Sequence, residues 1–172
     1  MNLPLDGTIG LYKVKKTSNW MAKAIAFFTG KPYNHANTFH GGSTWEEDVG
    51  GAKETKGLKK ADEYWEPDAD GTEVEKAKGL TFLQVTTGMG IRKPWPYNWL
   101  LTGVKAVVYP TRWFWNWIGW VPFSAAFYGV NCSVYVDKYW KYRGRDIRPK
   151  WMEHLSAPGD LRSLPGFHRW FP

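Results

Sequence analysis

The chain has 172 residues and a formal net charge of +7, and 43% of its residues are hydrophobic, including 12 tryptophans. This length favours one domain with one core, and the apolar content excludes a disordered chain. The positive charge suits an anionic partner such as a lipid surface or a cell-wall polymer, although a solvated basic surface has the same composition. No signature of a nucleic-acid-binding module is present, so we expect no specific nucleic-acid partner.

A strand and a helix are predicted at the start of the chain. Gly7–Val14 has the apolar pattern of a strand. The following segment, SNWMAKAIAFFTG, has apolar residues at helical spacing. Ser18 is the expected N-cap of this helix, and Gly30 is its expected end. The first ten residues, MNLPLDGTIG, lack the pattern of a signal peptide, so the expected location is the cytoplasm or a virus particle.

The next segment, PYNHANTFHGGSTWEED, predicts a β-hairpin with strands over Asn34–His40 and Ser43–Asp48. With Gly41-Gly42 as a two-residue turn, Glu46 lies diagonal to His35 on the same face and accepts a hydrogen bond from its ring. Asn37 and Asp48 share that face, and Glu47 points away from it. A three-residue turn would exchange the two glutamates, and an exposed acidic edge strand is the alternative without chemistry.

The middle of the chain is less regular. Residues 50–79 are predicted to be a surface connection with weak helical patches near Leu58–Trp65, and Leu80–Thr87 is predicted to be a strand. A helix is expected over Tyr97–Val108, followed by an irregular aromatic segment over 109–128. Trp113–Val136 carries no formal charge, but its prolines, glycines and asparagines favour an aromatic wall of a core or cleft over a membrane span. A membrane-surface contact through Trp113–Trp120 is the second interpretation.

A helix is predicted near the end of the chain, in the segment NCSVYVDKYW. Asn131 is the expected N-cap. The apolar face of this helix is expected to consist of Cys132, Tyr135, Val136, Tyr139 and Trp140. The remaining tail, SAPGDLRSLPGFHRWFP, is rich in turn residues, so we expect it to lie along the surface.

Cys132 is the only cysteine, which excludes an intrachain disulfide and a metal site built from several cysteines. We expect no metal and no cofactor. In the first turn of a helix, the helix dipole and the free N–H groups favour a thiolate and hold an oxyanion. A buried, unreactive cysteine is the alternative. Among the four histidines, His35 is the best-placed base, whereas His40 is predicted to be a turn residue and His154 and His168 lie in polar segments.

Several segments together resemble the circularly permuted branch of the NlpC-like papain-fold hydrolases. TGKPYNHANTF resembles that family's TGS-x-YSHVGIV segment, and STWEED resembles its following xVIEA strand. GVNCSVYV is similar to the nucleophile helix xxCSxLV, APGDL to the late TPGDL segment, and DGTIGLYKV to the opening GDIILVR strand. The base precedes the nucleophile in this order, which is the reverse of the unpermuted papain order.

The resemblance implies an α+β, papain-like fold over residues 1–172, with a small antiparallel sheet packed against the helix that carries the nucleophile. It also implies a catalytic triad in which Cys132 is the nucleophile, His35 the general base and Glu46 the orienting residue. Either acid of the WEED segment matches the family's third polar residue. The expected substrate contacts are Tyr33, Tyr97, Asn98 and Asn131; Asn98 stands where the family often has an aspartate.

The candidate triad and the composition of the chain are compatible with three functions. The first is a cysteine hydrolase that cleaves an amide bond, with peptidoglycan stem peptides as the expected substrate. The second is a lipid- or thioester-directed acyl hydrolase or transferase of the same fold, which the tryptophan-rich segment before Cys132 favours. The third is a non-catalytic component of a larger assembly, such as a phage particle, in which Cys132 is inert.

Overall fold

The computed structural model describes residues 3–48, 50–88, 111, 114, 132–147, 156–162 and 164–172. In these residues, a six-stranded antiparallel sheet combines with three α-helices, so the α+β class is confirmed. The strands are β1 (Ile9–Lys13), β2 (Tyr33–His40), β3 (Ser43–Asp48), β4 (Gly51–Lys56), β5 (Glu63–Pro67) and β6 (Phe167–Trp170). Their order across the sheet is β4-β3-β2-β1-β5-β6. The helices are α1 (Trp20–Thr29), α2 (Glu73–Thr86) and α3 (Cys132–Tyr142).

The predicted hairpin is confirmed together with its register. Gly41 and Gly42 have φ angles of 59° and 76°, the left-handed region that a tight two-residue turn needs at both positions. β2 and β3 pair from His40 opposite Ser43 to Asn37 opposite Glu46. The hairpin lies inside the sheet, with β1 beyond β2 and β4 beyond β3. The interpretation of β3 as an exposed edge strand is therefore wrong.

α1 forms where it is predicted, but a different residue caps it. The side chain of Asn19, not Ser18, accepts the hydrogen bond from the N–H of Ala22. The Ser18 hydroxyl instead accepts a bond from the N–H of Lys15, in the turn before the helix. Gly30 ends the helix in a left-handed conformation, as expected.

The segment after the hairpin differs from its prediction. Residues 50–79 contain β4, β5 and the first half of α2 rather than a surface connection. The predicted strand over Leu80–Thr87 is wrong, because α2 continues to Thr86. Thr72 and Glu75 form a reciprocal capping box at the start of this helix, and this local signal outweighs the β-branched residues that follow.

α3 packs against β2, β3 and α2, and its predicted apolar face is confirmed. All five side chains of that face are buried: Cys132, Tyr135, Val136, Tyr139 and Trp140. Tyr135, Val136, Tyr139 and Trp140 join Ile9 and Leu11 of β1, Ala36 of β2 and Trp45 of β3 in the core. The predicted cap Asn131, the predicted helix over Tyr97–Val108 and nearly all of the aromatic segment lie outside the described residues.

The tail contributes more to the fold than its composition predicts. Ala157, Leu161 and Leu164 are buried, and a short 3₁₀ helix over Pro158–Leu161 contacts β2 and α3. β6 then pairs with β5 at the edge of the sheet. The expectation of a tail that lies along the surface is therefore wrong for its first half.

The turn offers a clean test of the hairpin register. A Cβ added at Gly41 or Gly42 would meet no atom within 4 Å, so only backbone strain opposes a larger residue there. We expect Gly42→Val to lower the free energy of unfolding by about 1–2 kcal/mol in urea denaturation. Gly41→Asn should be tolerated, because asparagine is common at this turn position. If Gly42→Val and Gly41→Asn lowered the free energy of unfolding equally, the turn geometry would be contradicted.

Candidate active site

Cys132 is the first residue of α3, and it is buried, with 4% of its surface exposed. The first N–H groups of an α-helix have no partner within the helix. They give this end a partial positive charge, which favours an anion at the position of the thiol. α3 thus places the sulfur at the helix end that is best suited to a thiolate.

His35 lies on β2 and connects Cys132 to Glu46. Its Nε2 is 2.8 Å from Oε2 of Glu46, and its ring also forms a hydrogen bond with the side chain of Cys132. Because Nε2 is engaged by the carboxylate, Nδ1 is the ring nitrogen left for the thiol. The structure therefore brings together the three residues that the sequence analysis selects, although they come from a hairpin and a helix far apart in the chain.

The electrostatics of the site favour a protonated His35. Burial opposes a charge on the ring, but the hydrogen bonds to Cys132 and Glu46 and the negative charges of these groups outweigh it. Together they raise the pKa of His35 to about 9. The imidazolium form of His35 is therefore favoured near neutral pH.

Glu46 is held as a carboxylate by cations. Lys59 places its Nζ 2.7 Å from Oε1 and 2.9 Å from Oε2 of Glu46, and Lys53 places its Nζ 3.4 Å from Oε1. Burial raises the pKa of Glu46, but the bonds from His35 and Lys59 prevail and lower it to about 2. The side chain that orients His35 is thus charged and fixed in place.

Tyr12, Asn37 and Lys59 complete the surroundings of His35. The rings of Tyr12 and His35 have their centroids 5.3 Å apart, and Asn37 donates a 2.6 Å hydrogen bond to the Tyr12 hydroxyl. Burial and the charge of Glu46 raise the pKa of Tyr12, so the hydroxyl stays neutral. Neither Tyr12 nor Lys59 is predicted from the sequence to belong to the site. Their contacts depend on the pairing of β1 with β2 and on the path of the chain after β4, for which no local motif is visible.

Glu47 is not the surface residue that the sequence analysis predicts. It points to the face of β3 opposite Glu46, its side chain is fully buried, and neither carboxylate oxygen has a hydrogen-bond partner in the described part of the chain. Burial and the nearby negative charges of Asp48 and Cys132 raise the pKa of Glu47 to about 8. Glu47 is therefore a neutral carboxylic acid at pH 7, close to the nucleophile.

His40 is also buried, which corrects its prediction as an ordinary turn residue. Its Nδ1 lies 2.9 Å from the hydroxyl of Tyr139 on α3, and burial lowers the pKa of His40 despite the charge of Asp6. His40 thus joins the hairpin to α3 as a neutral ring. His168 lies on β6 beside Asp68, with half of its side chain exposed, and His154 lies outside the described residues.

Of the four expected substrate contacts, only Tyr33 is described. It is buried, and this burial, together with a hydrogen bond between its hydroxyl and Glu63, raises the pKa of Tyr33 to about 12. A role of Tyr33 in substrate binding stays a prediction, as do the roles of Tyr97, Asn98 and Asn131. In the part of the chain that the structure covers, no group of three or more His, Cys, Asp or Glu side chains is arranged to hold a metal ion.

The raised pKa of Glu47 predicts that the stability of the protein depends on pH. Between pH 4.5 and 8 the unfolded chain releases the proton of this carboxyl while the folded protein keeps it, so the wild-type protein loses stability as the pH rises. Glu47→Gln removes this loss. We expect the unfolding free energy of the variant, relative to wild type, to rise across this window by on the order of 3 kcal/mol. Urea denaturation at several pH values measures it, and Glu73→Gln, at an exposed position of α2, is the matched control.

If the unfolding free energies of wild type and Glu47→Gln differed by the same amount at every pH between 4.5 and 8, the buried, neutral state of Glu47 would be contradicted.

Comparison with known proteins gives no relative whose residue roles could be assigned to this chain. No protein-family model matches the chain, and no curated protein matches it. The chemical interpretation of Cys132, His35 and Glu46 therefore depends on their geometry and on the resemblance of short segments.

Proposed function

We propose that this protein is a cysteine hydrolase of the permuted NlpC-like, papain-fold type, which cleaves an amide bond in peptidoglycan stem peptides. One observation carries the proposal: Cys132, His35 and Glu46 form a continuous hydrogen-bonded chain. A nucleophile, a base and a group that orients the base are the three components that covalent amide hydrolysis requires.

In the first half of the reaction, the Cys132 thiolate attacks the carbonyl carbon of the substrate. A carbon–sulfur bond forms, and the carbonyl π electrons move to the oxygen, where N–H groups at the start of α3 stabilise the negative charge. The carbon–nitrogen bond then breaks, and His35 gives its proton to the departing amine. The products are a free amine and a thioester on Cys132.

In the second half, a water molecule attacks the thioester carbonyl, and His35 takes its proton. The carbon–sulfur bond breaks, the acid product leaves, and the thiolate–imidazolium pair is restored. Glu46 keeps the ring of His35 in one orientation through both halves and stabilises its charged form. Lys59 in turn keeps Glu46 in place.

The arrangement of the other matched segments supports the permuted family. The strand that carries the base precedes the helix that carries the nucleophile, and the PGDL segment contacts both β2 and α3. The net charge of +7 suits a substrate that is part of an anionic wall polymer.

Hydrolysis of purified peptidoglycan, followed by the appearance of free amino groups, tests the proposal. We expect Cys132→Ala and His35→Ala to lower the rate by about 1,000-fold or more. His168→Ala is the matched control, since it removes an exposed histidine at the far edge of the sheet, and its rate should equal that of wild type.

Two results would overturn the proposal. If Cys132 failed to react with iodoacetamide in the folded protein, the site would be inert, as in a structural component of a particle. If the protein cleaved ester or thioester substrates but released no amine from peptidoglycan, the acyl-directed alternative would replace the amide one.

The alkaline limit of activity should depend on Glu46. Because its carboxylate helps to raise the pKa of His35 to about 9, we expect activity to fall above that pH as the imidazolium loses its proton. Glu46→Gln removes this charge and should move the alkaline limb of the kcat/KM profile to lower pH. Glu73→Gln, an exposed substitution on α2, should leave the limb unchanged; an unshifted limb in Glu46→Gln would contradict the role of Glu46.

A further inference from the structure

Three aromatic side chains of α1 are exposed to solvent. Trp20 is 75% exposed, Phe27 is 80% exposed and Phe28 is 41% exposed, whereas the small Ala22 is 6% exposed. A surface helix normally turns its large apolar residues toward the core. Here Trp20 and Phe27 face outward, so their rings contribute little to folding.

The exposed residues form one continuous surface, which we call the aromatic face of α1. Trp20, Lys23 and Phe27 are three and seven residues apart along the helix, which places them on one stripe. Phe28 borders this stripe and contacts Phe27 edge to face, with 5.4 Å between the ring centroids. Exposed apolar groups that are clustered in this way commonly mark an interaction site.

The segment of the chain that carries the aromatic face is basic. From Gly7 to Trp45 the sequence contains five lysines and no acidic residue. Three of the lysines pair with acids elsewhere in the fold: Lys13 with Glu63, Lys15 with Asp62 and Lys31 with Asp160. Lys16 and Lys23 are exposed and have no acidic partner in the described residues, so two cations beside the aromatic rings remain available to an anionic partner.

α1 is fixed firmly to the part of the fold that carries His35. Gly30 ends the helix with hydrogen bonds back into its last turn. The next residue, Lys31, places its Nζ 2.8 Å from Asp160 and 3.4 Å from the carbonyl oxygen of Gly159 in the 3₁₀ helix. β2 begins two residues later. The aromatic face and the candidate active site therefore keep a fixed position relative to each other.

We propose that the aromatic face of α1 docks the protein on an anionic lipid surface. Trp20, Phe27 and Phe28 would enter the boundary between headgroups and acyl chains, and Lys16 and Lys23 would pair with lipid phosphates. A lipid surface fits the chemistry of this face, because tryptophan and phenylalanine rings beside exposed lysines are typical of helices that insert at the boundary between headgroups and acyl chains. In the described residues no helix is long and apolar enough to cross a bilayer, so the proposed contact is one of surface docking.

This docking is independent of the proposed hydrolase activity, and it can be measured on the full chain without a substrate. The probe is sedimentation with vesicles of about one part phosphatidylglycerol to three parts phosphatidylcholine. We expect the Trp20→Ala/Phe27→Ala double variant to bind at least about tenfold more weakly than wild type. Phe171→Ala, which removes an aromatic ring that is equally exposed at the chain end, should bind as wild type does.

The contribution of the lysine charges to vesicle binding is tested with a separate variant and control. Lys23→Gln should weaken vesicle binding by roughly fivefold, and added salt should weaken the binding of wild type in the same direction. Lys78→Gln, on the exposed side of α2, should have no effect.

Three results would overturn the proposal. The first is the absence of wild-type binding to these vesicles, and the second is binding that survives the double substitution in α1. The third is an association of wild type with insoluble cell-wall polymer that depends on Trp20 and Phe27 while vesicles are not bound. As a direct readout, an environment-sensitive dye at Phe27→Cys in a Cys132→Ser background should shift to the blue with vesicles, and the same dye at Phe171→Cys should not.

Discussion

The two-residue turn at Gly41 and Gly42 is the constraint from which the candidate site follows. Both glycines have positive φ angles, and this backbone fixes the register of β2 and β3 without an extra residue. Because side chains alternate along a strand, a shift of one residue would move every side chain of β3 to the other face. In the observed register Glu46 meets His35, and His35 in turn meets Cys132.

The same register gives two neighbouring glutamates opposite chemical states. Glu46 is surrounded by His35, Lys59 and Lys53, which lower its pKa to about 2. Glu47 has no cation beside it in the described residues, and burial raises its pKa to about 8. One strand thus supplies a fixed charge to the histidine and a neutral acid near the cysteine. Burial disfavours the charge of both groups, and only Glu46 has the hydrogen bonds that compensate.

Sequence patterns predicted those parts of the site that local signals determine. The Gly-Gly turn, the alternation of the hairpin and the helical spacing after Cys132 predicted the elements and faces that carry Cys132, His35 and Glu46, and the resemblance of short segments assigned their roles. These patterns did not predict the surroundings of side chains that depend on contacts between distant parts of the chain. Glu47 and His40 look like surface residues until α3 covers the hairpin, and Lys59 reaches Glu46 only because of the path of the chain after β4.

α2 shows a different source of error. Its β-branched residues favoured a strand over Leu80–Thr87, whereas the capping box at Thr72 and Glu75 starts a helix that runs through the same residues. A capping signal eight residues upstream thus had more weight than the local propensity. The missed strands β4 and β5 are short, and their charged residues hid the alternation that marks a strand.

In the proposed function, His35 is a cation between Cys132 and the carboxylate of Glu46. An NMR titration of the ring of His35 in the full chain tests this most directly. We expect a pKa near 9 for His35 and a lower pKa in Cys132→Ala, because that substitution removes the hydrogen bond and the negative charge of Cys132. A ring that titrates at its ordinary pKa near 6.5 in both proteins would contradict the charged state of His35.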